Sequence, residues 1–78
     1  MTNPTVSMPP VLMTGQNTTG LVRAALAKSG YTIEFDVAIF HGISAATGRQ
    51  VHVISFFNDA GEPETGEVFI DNHGKAEF

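Results

Sequence analysis

The longest strictly alternating run in this sequence, YTIEFDVAIFH at positions 31–41, is the feature that most limits its possible folds. Apolar side chains fall at every second position, and most of the side chains between them are polar. Successive side chains of a β-strand point to opposite faces, so this pattern is typical of a strand that is buried on one face. We therefore predict a strand here whose buried face carries Tyr31, Ile33, Phe35, Val37 and Ile39.

The length of the chain restricts what can be built around this strand. A domain of 78 residues buries roughly 60–65% of the surface of its unfolded chain, which is enough for about one helix against one sheet. The sequence contains no cysteine, so neither a disulfide nor a thiolate metal site can add to the core. We expect one small domain that is stabilised by apolar packing.

The charge balance narrows the classes of function. Eight acidic residues against four basic ones give a formal net charge of -4 at pH 7. Proteins that bind nucleic acids usually present a basic face, so direct nucleic-acid binding is not expected. No apolar run approaches the ~20 residues of a membrane span, and Pro9 and Pro10 interrupt the segment that a signal peptide would need. We expect a cytoplasmic protein.

An extended arm is predicted at the N-terminus, over residues 1–17. This segment contains Pro4, Pro9 and Pro10 and follows neither a helical nor an alternating period. A short apolar patch at positions 11–13 has two interpretations: it pins the arm across the core of its own chain, or it reaches a partner.

A helix is predicted next, in the segment TTGLVRAALAKSG at positions 18–30. Thr18 or Thr19 suits the N-terminal cap, and Gly30 suits the left-handed residue that ends a helix. The apolar stripe that this helix would bury consists of Leu21, Val22, Ala25 and Leu26.

Two further strands are predicted in RQVHVISFFN and EVFID, with a short fourth strand at positions 75–78 as an option. The register that keeps apolar residues opposite one another pairs Ile39 with Val51 and Phe57 with Val68. The sequence therefore predicts an α+β fold over residues 18–78. In this fold the N-terminal helix covers one face of a three- to four-stranded antiparallel β-meander.

The second face of this predicted sheet is also apolar. A sheet face that is left to water is normally polar, and contiguous exposed apolar surface marks interaction sites. Either the arm or Phe78 covers this face within the monomer, or another chain does, which includes a second copy in a two-fold homodimer. The apolar residues predicted to bind the partner are Phe40, Ile54, Phe56 and Phe69.

An acidic stretch runs from Asp59 to Asp71 without a lysine or arginine. Its two interpretations are a solvated hairpin turn that aids solubility and a negative surface that complements a basic groove. In the second interpretation Glu62, Glu64 and Glu67 contact the partner.

Candidate metal ligands are two imidazoles and two carboxylates on neighbouring predicted strands, His52, His73, Asp36 and Asp71. Such a set could hold a divalent ion such as zinc, but the DNHG composition at positions 71–74 also suits an ordinary turn. The sequence has no activated nucleophile and no phosphate-binding loop. We predict no catalytic residue, no bound metal and no cofactor, and therefore not an enzyme.

Residues 21–78 resemble a PepSY-type module in the helix LVRAALAKSG, the strand VHVISFF and the closing segment GEVFIDNHGKAEF. This resemblance implies a non-catalytic inhibitory or peptidase-associated domain, usually outside the cytoplasm. In its general character, a tiny, acidic, cysteine-free domain, the chain is also similar to the small inhibitors of phages and mobile elements, including anti-CRISPR proteins. These inhibitors share no motif, so the likeness implies no site residue.

The hypothesis that follows is a non-enzymatic protein-binding module that inhibits a larger protein or nucleoprotein target. The apolar sheet face would supply the anchor, because interface energy concentrates in a few buried aromatic residues, and the glutamates would complement a basic rim. The alternatives are a virion or assembly component that uses its N-terminal arm and a PepSY-like inhibitory domain.

Overall fold

The computed structural model describes residues 12–78 of the chain, which contain one helix and four strands. The helix α1 (Thr19–Lys28) comes first. The strands β1 (Val37–Ile43), β2 (Gln50–Phe57), β3 (Pro63–Ile70) and β4 (Ala76–Glu77) follow. They form one antiparallel sheet in the order β1-β2-β3-β4. The predicted α+β fold class, with one helix on one face of an antiparallel meander, is confirmed.

Helix α1 lies within the predicted segment 18–30, and the predicted glycine follows its C-terminal cap, Ser29. Gly30 has a φ of 87°, in the left-handed region that favours glycine. The Gly30 N–H donates to the Ala27 carbonyl (3.2 Å), and the Tyr31 N–H donates to the Leu26 carbonyl (2.9 Å). These two bonds are the Schellman pattern, which satisfies carbonyls that the end of a helix would otherwise leave unpaired.

The core lies between α1 and one face of the sheet. Val22 and Leu26 of the helix are 0% and 2% exposed. We call the sheet face opposite them the helix-side face, and its members are Ala38, Phe40, Ile54, Val68 and Ile70. Ala76 of β4 joins this cluster, so all four strands contribute to one core.

The alternating run that predicted one strand is divided by a bend at Asp36. Before the bend, Tyr31, Ile33 and Phe35 lie in an extended segment outside the sheet and pack against the core. After the bend, Ala38 and Phe40 face the core. The prediction that Val37 and Ile39 lie on the buried face is therefore wrong, because the bend changes which parity of residue points inward.

The predicted strand registers are also wrong. Ile39 lies opposite Val53 rather than Val51, because β1 continues to Ile43 and has a bulge between Phe40 and Gly42. Phe57 lies opposite Pro63 rather than Val68, because the second turn is shorter than predicted and β3 begins earlier. The second change shifts the pairing by an odd number of residues, which reverses the faces of β3 relative to those of β2. Because the faces of β1 and β2 are themselves reversed, Val68 and Ile70 of β3 still point to the core and Phe69 still points away from it.

The end of the predicted arm lies along the edge of β1. The Gly15 N–H donates to the Phe40 carbonyl (2.8 Å), and the Phe40 N–H donates to the Gln16 carbonyl (2.9 Å). The Thr18 N–H donates to the Ala38 carbonyl (2.8 Å). Residues 15–18 thus pair with β1 on the side away from β2. The rest of the predicted arm, residues 1–11, lies outside the described residues.

Candidate protein-binding surface

The four apolar residues predicted to bind a partner do not form one surface. Ile54 is 0% exposed and Phe40 is 5% exposed, and both belong to the helix-side face. Phe56 is half-buried and packs against the same core. Phe69 lies opposite Val51 and points to the other face of the sheet. The prediction that they share an outer face is wrong, and its cause is the reversed parity described above.

The three glutamates predicted to bind a partner are exposed on the β2–β3 hairpin. Glu62 lies in the turn, whereas Glu64 and Glu67 lie on β3. Within residues 12–78 the ion pair joins Arg49 and Glu77. No lysine or arginine of the described chain therefore neutralises these three carboxylates.

The β2–β3 turn is held by the side chain of Asn58. Its Oδ1 accepts hydrogen bonds from the N–H groups of Ala60 (3.0 Å) and Glu62 (2.9 Å). Its Nδ2 donates to Glu64 Oε1 (3.2 Å). Asparagine is favoured in turns because its side chain can bond backbone groups in this way. The turn therefore presents its carboxylates from an ordered loop.

An aromatic pocket lies at the same end of the sheet. We call it the hairpin-end pocket. Its volume is about 280 Å³, and its lining consists of Glu34, Phe35, Asp36, Phe56 and Phe57. Phe57, the last residue of β2, is 66% exposed. Exposed aromatic surface that is surrounded by carboxylates suits contact with a cationic partner.

The bend at Asp36 brings the two parts of this pocket together. The Asp36 N–H donates to the Ser55 carbonyl (2.8 Å), which holds residues 34–36 beside the end of β2. The guanidinium of Arg23 on α1 lies 5.2 Å from the centre of the Phe35 ring. A cation therefore already rests on one of the aromatic rings that line the pocket.

The sequence contained a signal for the exposed phenylalanine. Phe56 and Phe57 are adjacent at the end of a predicted strand, and adjacent strand residues must point to opposite faces. One of the two rings must therefore point away from the core. Phe56 was predicted to be the outer ring, but Phe56 packs against the core and Phe57 is the exposed one.

The sheet face away from α1, which we call the outer face, is also apolar, although its members differ from the predicted ones. They are Val37, Ile39, Val51, Val53 and Phe69. The guanidinium of Arg49 covers part of this face, 4.9 Å from the centre of the Phe69 ring, and its Nη1 lies 2.9 Å from Glu77 Oε2. Phe69 is therefore partly shielded by a side chain of its own domain.

A larger cleft, of about 490 Å³, lies between α1 and the β3–β4 turn. Its charged lining residues already have bonds within the domain. Lys28 Nζ donates to the His73 carbonyl (3.2 Å), and Asp71 Oδ1 accepts from the N–H groups of His73 and Lys75 (both 2.9 Å). These turn bonds hold the pKa of Asp71 below its usual value, the one from Lys75 most strongly. The cleft is thus less suited to a charged ligand than the hairpin-end pocket.

The four candidate metal ligands are not brought together. Within residues 12–78 no group of three or more His, Asp or Glu side chains is placed to hold a metal ion. His52 points to the helix-side face and is 0% exposed, whereas Asp36 and His73 are exposed in separate segments. The prediction that His52 lies on the outer face is wrong because the faces of β2 are reversed by the bend at Asp36.

His52 instead has a structural environment. Its Nδ1 lies 2.8 Å from Thr18 Oγ1 and its Nε2 lies 2.9 Å from Gln50 Oε1. Because the Gln50 oxygen only accepts, we assign the ring proton to Nε2, and the Thr18 hydroxyl then donates to Nδ1. Burial lowers the pKa of His52 below 6.5, since desolvation disfavours the charged ring. His52 thus links β2 to the start of α1 as a neutral side chain.

Comparison with known proteins found no match to a family model, to a curated protein or to a solved structure. The resemblance to PepSY-type modules therefore rests on the sequence pattern alone. Within the described residues, no helix is long and apolar enough to cross a membrane.

Proposed function

We propose that this chain is a non-enzymatic protein-binding domain that docks on a basic surface of a larger target through the hairpin-end pocket and the β2–β3 turn. One observation carries the proposal: Phe57 is 66% exposed and stands beside a set of carboxylates. The pocket contributes Glu34 and Asp36, and the hairpin contributes Glu62 and Glu64.

The exposed ring can supply much of the binding energy. A phenylalanine of this exposure removes on the order of 100–150 Å² of apolar surface from water when a partner covers it, which is worth about 2–3 kcal/mol. That corresponds to a change in Kd of about 30- to 150-fold. Few interface residues contribute as much, so Phe57 is the anchor in this proposal.

The carboxylates determine the kind of partner. A negative surface accelerates association with a positive one and discriminates against negative partners. The net charge of -4 supports the same preference. A target with a basic groove therefore fits this end of the molecule. By occupying such a groove the domain would act as an inhibitor, as expected from its small size and acidic character.

The setting that we propose is the cytoplasm. The absence of cysteine from the sequence supports a reducing compartment, in which disulfides do not contribute to stability. The alternative of an assembly component depends on an arm whose residues 1–11 lie outside the described part of the chain.

The experiment is an affinity capture from a lysate of the cells that produce the protein, with wild type beside Phe57→Ser. We expect a stoichiometric partner that the wild type retains and the variant loses. Raising the salt concentration from 0.1 to about 0.5 M should weaken capture, because salt screens exposed charges.

The matched control is Ile43→Ser. Ile43 is 59% exposed and ends β1 as Phe57 ends β2, but it does not line the hairpin-end pocket. It should leave capture unchanged. Equal capture by wild type and Phe57→Ser, with both proteins folded by circular dichroism, would contradict the proposal.

A further inference from the structure

The two edges of the sheet are treated differently by the chain. Residues 15–18 pair with the edge of β1, as described above. At the opposite edge, β4 pairs only with Phe69 and Ile70 of β3. Among the described residues, the stretch from Pro63 to Val68 therefore has a strand partner on one side only. We call this stretch the open edge.

The hydrogen-bond alternation of antiparallel strands identifies the groups that the open edge presents. The Asn58 N–H donates to the Glu62 carbonyl (2.9 Å) at the turn, which sets the phase of the β2–β3 ladder. In that phase every second residue of β3 bonds to β2, namely Glu64, Gly66, Val68 and Ile70. The N–H and C=O groups of Thr65 and Glu67 consequently point away from β2.

The pairing with β4 gives the same phase independently. The Asp71 N–H donates to the Lys75 carbonyl (3.0 Å), and Phe69 lies opposite Glu77. Backbone groups of successive strand residues alternate in direction, so two residues before Asp71 the N–H and C=O groups of Phe69 also point to β4. Residues 67 and 65 share that direction, and there they meet no strand among residues 12–78.

The side chains along the open edge favour a particular partner sequence. Glu67 and Thr65 project from the outer face, whereas Glu64 projects from the helix-side face. At Gly66 the helix-side face holds the ring of Phe78, whose Cε2 would lie 2.9 Å from an added Cβ. An incoming strand therefore meets a carboxylate, an aromatic ring, a hydroxyl and a second carboxylate in turn.

We propose that the open edge accepts an extended basic segment of the partner as an additional antiparallel strand. This proposal rests on the proposed function and names its mode of recognition. The matching order in the partner is basic, apolar, polar, basic, opposite Glu67, Gly66, Thr65 and Glu64. Main-chain bonds supply affinity in such strand addition, and alternate side chains supply specificity.

A second copy of the chain is a poor occupant of the same edge. Pairing two open edges would bring Glu64 and Glu67 of one copy beside those of the other, and like charges on adjacent strands are destabilising. Charged residues at sheet edges prevent self-association in this way. The acids that reject a second copy attract a cationic strand.

The test uses a synthetic peptide that contains Lys-Val-Thr-Lys between short serine flanks, titrated into the ¹⁵N-labelled full chain. We expect saturable shifts of the Thr65 and Glu67 amides that exceed those of Gly66 and Val68. N-methylation of the peptide threonine removes a bond to β3 and should weaken binding by at least about tenfold. N-methylation of the valine, whose N–H points to solvent, should change the affinity less than about twofold.

A charge exchange supplies a second variant that leaves the core untouched. Glu64→Lys/Glu67→Lys should lose affinity for the basic peptide and bind Glu-Val-Thr-Glu instead. The peptide Val-Lys-Lys-Thr, with the same composition in a different order, should bind less tightly than Lys-Val-Thr-Lys.

Three results would overturn the proposal. The first is an absence of binding at 1 mM peptide, a concentration that corresponds to a binding free energy of about 4 kcal/mol. The second is an equal loss of affinity from the two N-methylations. The third is strong hydrogen-exchange protection of the Thr65 and Glu67 amides in the free protein. The last result would mean that a strand already occupies the edge. If capture of the partner still depended on Phe57, the proposed function would remain supported although strand addition would be refuted.

Discussion

Replacing Thr18 by valine should destabilise the domain although it changes the side-chain volume very little. The Thr18 hydroxyl donates to Nδ1 of His52, at 2.8 Å, and the two side chains are 4% and 0% exposed. Valine would leave the ring nitrogen buried without a partner. An unsatisfied buried polar group costs about 1–3 kcal/mol, which corresponds to a decrease in Tm of roughly 5–20 °C for a domain of this size.

The assay is equilibrium unfolding in urea at pH 7.5, with Thr32→Val as the matched control at an exposed threonine. The control should stay within about 0.5 kcal/mol of wild type. In a double-mutant cycle, Thr18→Val should lower the free energy of unfolding less in a His52→Leu background than in wild type. Leucine has no ring nitrogen, so no buried acceptor loses its donor when the Thr18 hydroxyl is removed. A Thr18→Val protein as stable as wild type would refute the assigned role of this bond.

Three further predictions concern the fold. Burial lowers the pKa of His52 below 6.5, so as the pH falls the unfolded chain binds a proton at this residue before the folded chain does. The free energy of unfolding should therefore fall as the pH drops from 6.5 toward the lower pKa of the folded state. Urea unfolding at pH 7.5 and 5.5 should show a smaller fall for His52→Gln than for wild type. Gly30→Ala should destabilise the domain by about 1–2 kcal/mol because Gly30 has a φ of 87°, which alanine adopts only with strain. Gly20→Ala should stabilise it by up to about 1 kcal/mol, because Gly20 lies in the helix with open space around it. Thermal melts in which both substitutions change Tm in the same direction would contradict this prediction. Glu77→Gln should change stability by less than about 1 kcal/mol, because the Glu77 side chain is 69% exposed and its ion pair is screened by water. Arg49→Ala should cost more because it also loses the contact of the guanidinium with the Phe69 ring, and equal effects of the two changes in urea unfolding would contradict this ranking.

The helix and the order of the strands could be predicted from local patterns. The apolar stripe and Gly30 each signal a part of the helix by themselves, although Leu21 of the stripe is 37% exposed. Thr18 is the N-terminal cap residue as predicted, but its side chain makes no cap bond, and Asn17 Oδ1 accepts from the Thr19 N–H instead (3.0 Å). The turn residues around positions 58–61 and 71–74 likewise indicate where the chain reverses. These signals depend on the backbone of a few consecutive residues, so tertiary packing does not need to be known.

The faces of the sheet could not be predicted in the same way. The alternation of residues 31–41 continues through Asp36 with no proline or glycine to indicate a bend. Its odd-numbered side chains do pack inward before the bend, but the even-numbered ones do so after it. The change of parity at the bend exchanged the inward and outward side chains of β1 and β2, whereas Val68 and Ile70 of β3 still face the core.

Only part of the candidate surface could be predicted, because its apolar residues depend on the faces of the sheet and its acidic residues do not. The exposure of Glu62, Glu64 and Glu67 follows from their charge, which burial would penalise. The apolar anchor depended on the faces, so the sequence pointed to Phe56 whereas Phe57 is the exposed ring. The hairpin-end pocket also needs Glu34 and Asp36, which only the bend brings to β2.

The central claim is that the hairpin end contacts a partner, and photo-crosslinking tests it most directly. The photoreactive analogue p-benzoylphenylalanine would replace Phe57 in one protein and Ile43 in another, since both positions are exposed at strand ends. We predict a covalent product with a different protein from position 57 that is absent from position 43 and is reduced by excess wild-type chain. Crosslinking from position 43 alone, or from neither position while capture by the wild type persists, would contradict the account.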